Sequence, residues 1–291
     1  MIYNFEDLRP KSNYPKYPPY VTDDNGYLET YFYNYYLENK DKFDAKGRTL
    51  LPIWWTTLSV DNSPLPIQNY IDVLPKDHKW FTVSQHDDGI KYRLPPDTIH
   101  FGAGGLGGGI PIPLICSSIP EELKIRDNHP FNPSDFLFSF IGSITHPIRH
   151  SLSEKFGGQQ PDDCPFYFSD FRNWSQTVEN SKLEEFIGVT MKSKFSLAPR
   201  GYGLSSFRLY EIMQLGSIPV YVSDKHWLPW QDELNWEEFC VIITPEQIPN
   251  LYNILNGISE EKRQKMLNKI QEVYKDYFSL DGVCQNILKR L

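Results

Sequence analysis

The sequence predicts an α/β protein built of two Rossmann-like domains that face each other across a cleft. Short apolar runs alternate with amphipathic segments in both halves, the pattern of parallel sheets with crossover helices. A polar stretch, Ser117 to Pro133, carries Pro120, Pro130 and Pro133 and separates the halves as a linker. Phe195 to Val222 reads as strand, glycine turn, helix and strand, with the turn at a strand's carboxyl end where such sheets bind ligands. The expected domains are therefore 1–133 and 134–291, with 1–26 an extended arm and the last helix packing back on the first domain.

The arm is marked by Pro10, Pro15, Pro18 and Pro19 among tyrosines. Tyr27 to Asn39 follows an Asp-Asn-Gly turn and reads as a helix, with Leu28, Tyr31, Phe32, Tyr35 and Tyr36 at helical spacing. Leu50 to Val60 reads as a strand, which would send Trp54 and Trp55 to opposite faces. A short helix is expected over Ile67 to Val73, a strand over Trp80 to Ser84, and an irregular apolar run over Gly109 to Cys116. In the second half, strands are expected over Phe136–Ser143, Phe166–Asp170, Phe195–Ala198, Ile218–Val222 and Phe239–Thr244. Helices are expected over Pro147–Phe156, Lys182–Lys192, Pro245–Asn256, Ser259–Phe278 and Val283–Leu291. Ser259 with Glu260 and Glu261 is a helix start that a side-chain cap and the macrodipole both favour.

With 291 residues, 40% hydrophobic and 23% charged, the chain has the composition of a folded globular protein. Its net charge of −8 argues against broad nucleic-acid binding, which needs a basic surface. An anionic ligand must then be met by a local cluster of cations. Cys116, Cys164, Cys240 and Cys284 are too scattered for a metal-type pair, and Cys116, Cys240 and Cys284 lie in apolar surroundings as buried thiols. The start has no signal-peptide pattern and no apolar run approaches a membrane span. A cytoplasmic, soluble location is expected, unless a membrane anchor has been removed. In that setting the sequon Asn173-Trp174-Ser175 carries no meaning.

Gly102-Ala103-Gly104-Gly105-Leu106-Gly107 matches G-x-G-x-x-G, yet Pro95, Pro96, Pro111 and Pro113 crowd it where a dinucleotide fingerprint needs a strand and a helix. It reads as a flexible loop near the cleft. The stretch Pro199-Arg200-Gly201-Tyr202-Gly203 has the right context. Gly201 and Gly203 permit a tight turn, and Ser205 or Ser206 can cap the following helix, whose N-terminus suits a phosphate. Arg200 and Arg208 can contact a diphosphate, and Glu211, one turn after Arg208, can accept from ribose hydroxyls. The same residues are also compatible with an ordinary βαβ turn and a surface Arg208–Glu211 pair. Arg149 can reach a phosphate across the Gly142-Ser143 turn or lie on a solvated helix face. His86-Asp87-Asp88-Gly89 ends a strand of the first half, where a His held by a carboxylate can act as a general base or the loop can be merely polar. There is no D-x-D triplet to hold a diphosphate through a cation.

From Ser193 to Thr244 the chain resembles the exostosin-like glycosyltransferases. The likeness rests on Pro199-Arg200-Gly201, Ser205-Ser206-Phe207-Arg208-Leu209, Glu211-Ile212-Met213, Gly216, Ile218-Pro219-Val220, Ser223-Asp224 and Leu228-Pro229-Trp230. Trp80-Phe81-Thr82-Val83 with His86, Asp87 and Gly89, and Phe140-x-Gly142 with Arg149 and Leu152, extend it upstream to about half the chain. The resemblance implies a GT-B fold and an inverting transfer from a UDP-sugar, such as UDP-xylose, UDP-galactose or UDP-glucuronic acid, to a glycan hydroxyl. No metal or other cofactor is expected, and beside the family's membrane-anchored members the chain looks like a minimal soluble version of microbial or viral kind. The donor would lie on Gly142, Ser143, Arg149, Arg200, Gly201, Tyr202, Gly203, Ser205, Ser206, Arg208 and Glu211. His86 or Asp87 would be the base. Trp54, Trp55 and Asp88, or the Tyr31–Tyr36 face, would meet an oligosaccharide or glycoprotein acceptor. The alternatives are an inert carbohydrate-binding partner of another transferase and a nucleotide-dependent phosphoryl or nucleotidyl transferase.

Overall fold

The computed structural model describes residues 26–60, 66–124, 136–157, 164–169 and 180–291. The arm over 1–25, the sequon at 173–175 and the linker beyond residue 124 lie outside them. Two parallel sheets organise the described chain. The first has the order β1 (Arg48–Leu50), β2 (Lys79–Ser84), β3 (Ile99–Gly102), β4 (Ile110–Pro111). The second has the order β6-β5-β7-β8-β9, from β5 (Phe136–Ser143), β6 (Phe166–Ser169), β7 (Ser193–Pro199), β8 (Ile218–Val222) and β9 (Val241–Ile243). This is an α/β arrangement of two parallel sheets with flanking helices, consistent with two Rossmann-like halves.

The helices are α1 (Leu28–Asn39), α2 (Trp55–Val60), α3 (Ile67–Asp72), α4 (Pro147–Phe156), α5 (Asn180–Met191), α6 (Phe207–Gln214), α7 (Leu251–Asn256), α8 (Glu260–Phe278) and α9 (Leu280–Lys289). Their starts follow local chemistry. His146 Nδ1 accepts the Ile148 N–H, with Pro147 at the first helical position of α4. Ser206 and Ser259 cap α6 and α8. Gly216, at φ +73°, turns the chain out of α6 into β8. The helix expected over Pro245–Asn256 is a 3-10 segment to Asn250 and then α7, because Pro249 cannot donate within a continuous α-helix.

The first half departs most from expectation. The strand expected over Leu50–Val60 is β1, an extended link and then α2. Pro52 has no N–H for the ladder. Just beyond it the Thr56 N–H and hydroxyl both donate to the Glu29 carboxylate, which holds the start of α2. Trp54 and Trp55 are consequently buried rather than set on opposite faces. Their indole N–H groups donate to Thr30 and Thr82 inside a satellite core with Leu51, Ile53 and Leu58. Neither offers a surface on which a sugar can stack. β3 falls between the expected elements.

The main core is continuous between the sheets, taking Phe81 and Phe101 from the first, Phe138 and Phe195 from the second, and Phe278 and Ile287 from α8 and α9. The last helix, α9, lies against α1, where the Tyr31 hydroxyl donates to Asp281 at 2.6 Å. All four cysteines are buried free thiols. Among the described residues, no helix is long and apolar enough to cross a membrane.

Candidate active site

The strand order β6-β5-β7-β8-β9 reverses direction between β5 and β7. At such a switch point the loops leaving the strands diverge and open a crevice at the carboxyl ends. Arg149, in the first turn of α4, lies across it. Its guanidinium donates to the carbonyls of Ser143 at 3.0 Å, Pro199 at 2.9 Å and Arg200 at 3.0 Å, tying the ends of β5 and β7 together. Gly201 sits so close that a Cβ there would lie 3.4 Å from both the Arg149 guanidinium and the Thr145 hydroxyl.

Arg200 is buried and buckles its own loop. It donates to the carbonyls of Tyr202 and Gly203 and pairs with Asp224 at 2.6 Å. Asp224 follows β8, and the parallel register Pro199↔Val222 brings it beside Arg200. Burial works against the Asp224 carboxylate, yet the guanidinium beside it holds it below the usual range. Arg208 and Glu211 form a neighbouring pair at 3.5 Å on α6. The Arg208 guanidinium donates to the Ile141 carbonyl of β5 and lies 3.9 Å from the centre of the Phe186 ring. Glu211 is nearly closed off from solvent.

The carboxyl ends of the first sheet meet this crevice. The chain leaving β2 carries His86, Asp87 and Asp88, and the chain leaving β3 carries the glycine loop. That loop is packed between the two halves rather than free. The Leu106 N–H donates to Asp87, the Leu204 N–H donates to Gly104 at 2.8 Å, and the Trp227 indole donates to Gly102. A Cβ on Gly104 would overlap the Asp87 backbone, and one on Gly203 would overlap the Asp87 carboxylate. The glycines therefore permit backbone from both sheets to close on Asp87.

Asp87 is the electrostatic centre of this seam. Burial pushes its carboxyl up to about 6, and Asp88 adds to the rise. The Gly203 N–H donates to it, and Arg200 and Arg149 pull in the opposite direction. Half-buried His86 is pushed down by desolvation, and its Nδ1 accepts the Asp88 N–H at 3.2 Å. Asp88 lies on the rim, paired with Lys91 at 2.9 Å and accepting from the Tyr202 hydroxyl at 2.8 Å. Those bonds hold it below the ordinary carboxylate range.

Of the residues singled out by sequence, the structure gathers Ser143, Arg149, Arg200 and Gly201 at the switch point. It gathers His86, Asp87, Asp88, Tyr202 and Gly203 at the seam. Arg208 and Glu211 stand beside β5 next to Gly142. Ser206 caps α6, and Ser205 is buried. Trp54 and Trp55 are not brought to this site. Asp224, His146 and Thr145 received no role from sequence and belong to it. The neighbourhood of β7 and β8 could have identified Asp224, since parallel pairing places the two strand ends side by side. Among the described residues no group of three or more His, Cys, Asp or Glu side chains gathers as a metal site.

The Exostosin GT47 domain matches residues 94–258, a span that takes in the glycine loop and the whole β5–β9 sheet and begins after Asp88. A probable glycosyltransferase of Arabidopsis thaliana is 34% identical over 71% of this chain and 46% of its own. Exostosin-2 of Mus musculus is 21% identical over 75% of this chain and 34% of its own. The chain thus spans about half the length of these relatives or less. Their plant and animal sources lend no support to the microbial or viral origin expected from sequence. A structure of the wall teichoic acid polymerase TagF aligns over 90% of this chain and 92% of its own, at 11% identity and a TM-score of 0.28.

Proposed function

Because this chain belongs to the Exostosin GT47 family, we propose that it is an inverting glycosyltransferase that moves a sugar from a UDP-sugar to a glycan hydroxyl. The donor diphosphate sits in the crevice between β5 and β7. Arg149 and Arg200 frame that crevice, and their charges suit the negative charge that builds on departing UDP. The acceptor enters from the side of Asp88 and Tyr202.

Transfer is a single displacement. The acceptor oxygen attacks the anomeric carbon from the face opposite UDP. The bond from that carbon to the β-phosphate oxygen breaks, and its electron pair leaves with UDP. The acceptor proton passes to Asp87. The observation that carries this reading is the half-buried Asp87 carboxyl at the meeting point of both sheets, closed on by Gly104 and Gly203 and raised by desolvation to about 6. A base poised near neutrality is ionised at working pH and still able to take a proton. His86 is less suited, since its Nδ1 is already engaged by its own loop.

The test is incubation with a panel of UDP-sugars and oligosaccharide acceptors, with the new linkage read by NMR. The expected outcome is UDP release with an anomeric configuration opposite to that of the donor. Retained configuration, or donor binding without transfer to any acceptor, contradicts the proposal.

A further inference from the structure

Glu29 has no part in the chemistry above, yet it is buried in the first turn of α1 and faces the segment that carries Asp87. Its Oε1 accepts the Gln85 N–H at 2.7 Å and the Thr56 hydroxyl at 2.7 Å, and both of its oxygens lie 3.2 Å from the Thr56 N–H. In return, the Gln85 side chain accepts the Leu28 N–H at 2.9 Å, capping an α-helix that has no side-chain cap of its own. The last paired residue of β2 is Ser84, opposite Gly102. Beyond it the Glu29 carboxylate stands where a neighbouring strand would otherwise receive the Gln85 N–H. It therefore sets the direction in which the chain leaves β2, two residues before Asp87.

We infer that Glu29 is a positioning residue, clamping α1 to Gln85 so that the Asp87 carboxylate is held against Gly203 in register with the crevice. The inference rests on the transferase reading for its effect on rate, and on geometry alone for the clamp. The seam gives Asp87 little latitude, because backbone from Gly104 and Gly203 closes on it. A shift of Gln85 is therefore carried to the reacting atoms, where a misplacement of about 1 Å can cost about 100-fold in rate. The clamp also connects to the far end of the chain, since α1 is held by α9 through Tyr31 and Asp281.

The experiment compares Glu29→Ala, Glu29→Gln and wild type by steady-state kinetics and by backbone amide exchange. Glu29→Ala leaves the Gln85 and Thr56 donors without the carboxylate, whereas the amide oxygen of Glu29→Gln can still accept from them. The expected result for Glu29→Ala is a kcat about 10- to 100-fold lower with donor KM within about twofold. Exchange over Gln85–Gly89 should be at least about tenfold faster, with β7 and β8 unchanged. Glu29→Gln should recover kcat to within about threefold. Unchanged exchange at Gln85–Gly89 in folded Glu29→Ala overturns the clamp, as does acceleration spread evenly over both sheets. Faster local exchange with unchanged kcat overturns the positioning role. If wild type transfers no sugar, the transferase reading fails and the exchange result alone decides the clamp. If Glu29→Ala does not fold, Glu29→Asp, one methylene short of the Gln85 N–H, carries the same comparison.

Discussion

The two sheets meet at their carboxyl ends but are held there by opposite means. In β5–β9 the registers run to five paired residues between β7 and β8, and two guanidinium groups brace the strand ends. In β1–β4 the registers cover two to four residues, and the ends are held by buried side chains, chiefly Glu29 and Thr82. Bracing by cations leaves positive charge at the crevice, where the proposed diphosphate leaving group needs it. Bracing by the Glu29 carboxyl puts no cation at the exit of β2, and the guanidinium groups that act on Asp87 come from the other half. One half is thus a ladder suited to hold a donor, and the other a side-chain scaffold suited to aim a base.

The sharpest way to break that contrast is Thr82→Val. Thr82 donates to the Leu51 carbonyl and accepts the Trp55 indole N–H, so valine leaves two buried groups without those bonds. The expected cost is about 1–3 kcal/mol, read from urea unfolding. Amide exchange should quicken in β1–β3 and stay constant in β5–β9. An equal effect on both sheets would show that they unfold as one unit.

A smaller effect concerns pH. Burial raises Glu29 from 4.5 to about 7 in the folded chain, with hydrogen bonds from Gln85 and Thr56 acting the other way. The folded state therefore holds the proton more tightly than the unfolded state. Stability from this group is complete below about 4.5 and is lost as pH rises through about 7. From pH 6 to 8 wild type should lose about 1 kcal/mol relative to Glu29→Gln. A constant difference between the two proteins would show that the carboxyl does not titrate there.

The same contrast decides what the sequence reveals. β5 and α4 are legible residue for residue, because an aromatic-rich run ending in a glycine turn and a proline at the helix start are local signals. The crevice residues Arg149 and Arg200 follow, since they stand just beyond strands that can be recognised. β1, β3 and β4 are two to four residues long, too short for an alternation to register. Their places depend on long-range bonds such as Thr82 to the Leu51 carbonyl at the end of β1, which join residues 31 apart. For the same reason Trp54 and Trp55 suggest an exposed face in sequence and turn out to be core. His86 and Asp87 were legible as a pair at a strand end. The approach of Gly203 and Gly104, and the engagement of His86 Nδ1 by its own loop, favour Asp87 over its neighbour.

If the proposed transfer depends on the Asp87 carboxylate at this seam, Asp87→Asn should abolish most of it. The amide keeps the shape and can accept the Gly203 N–H while losing the basic oxygen. Transfer should be about 100- to 10,000-fold slower, with UDP affinity by calorimetry within about threefold of wild type. Transfer at the wild-type rate by folded Asp87→Asn would contradict it.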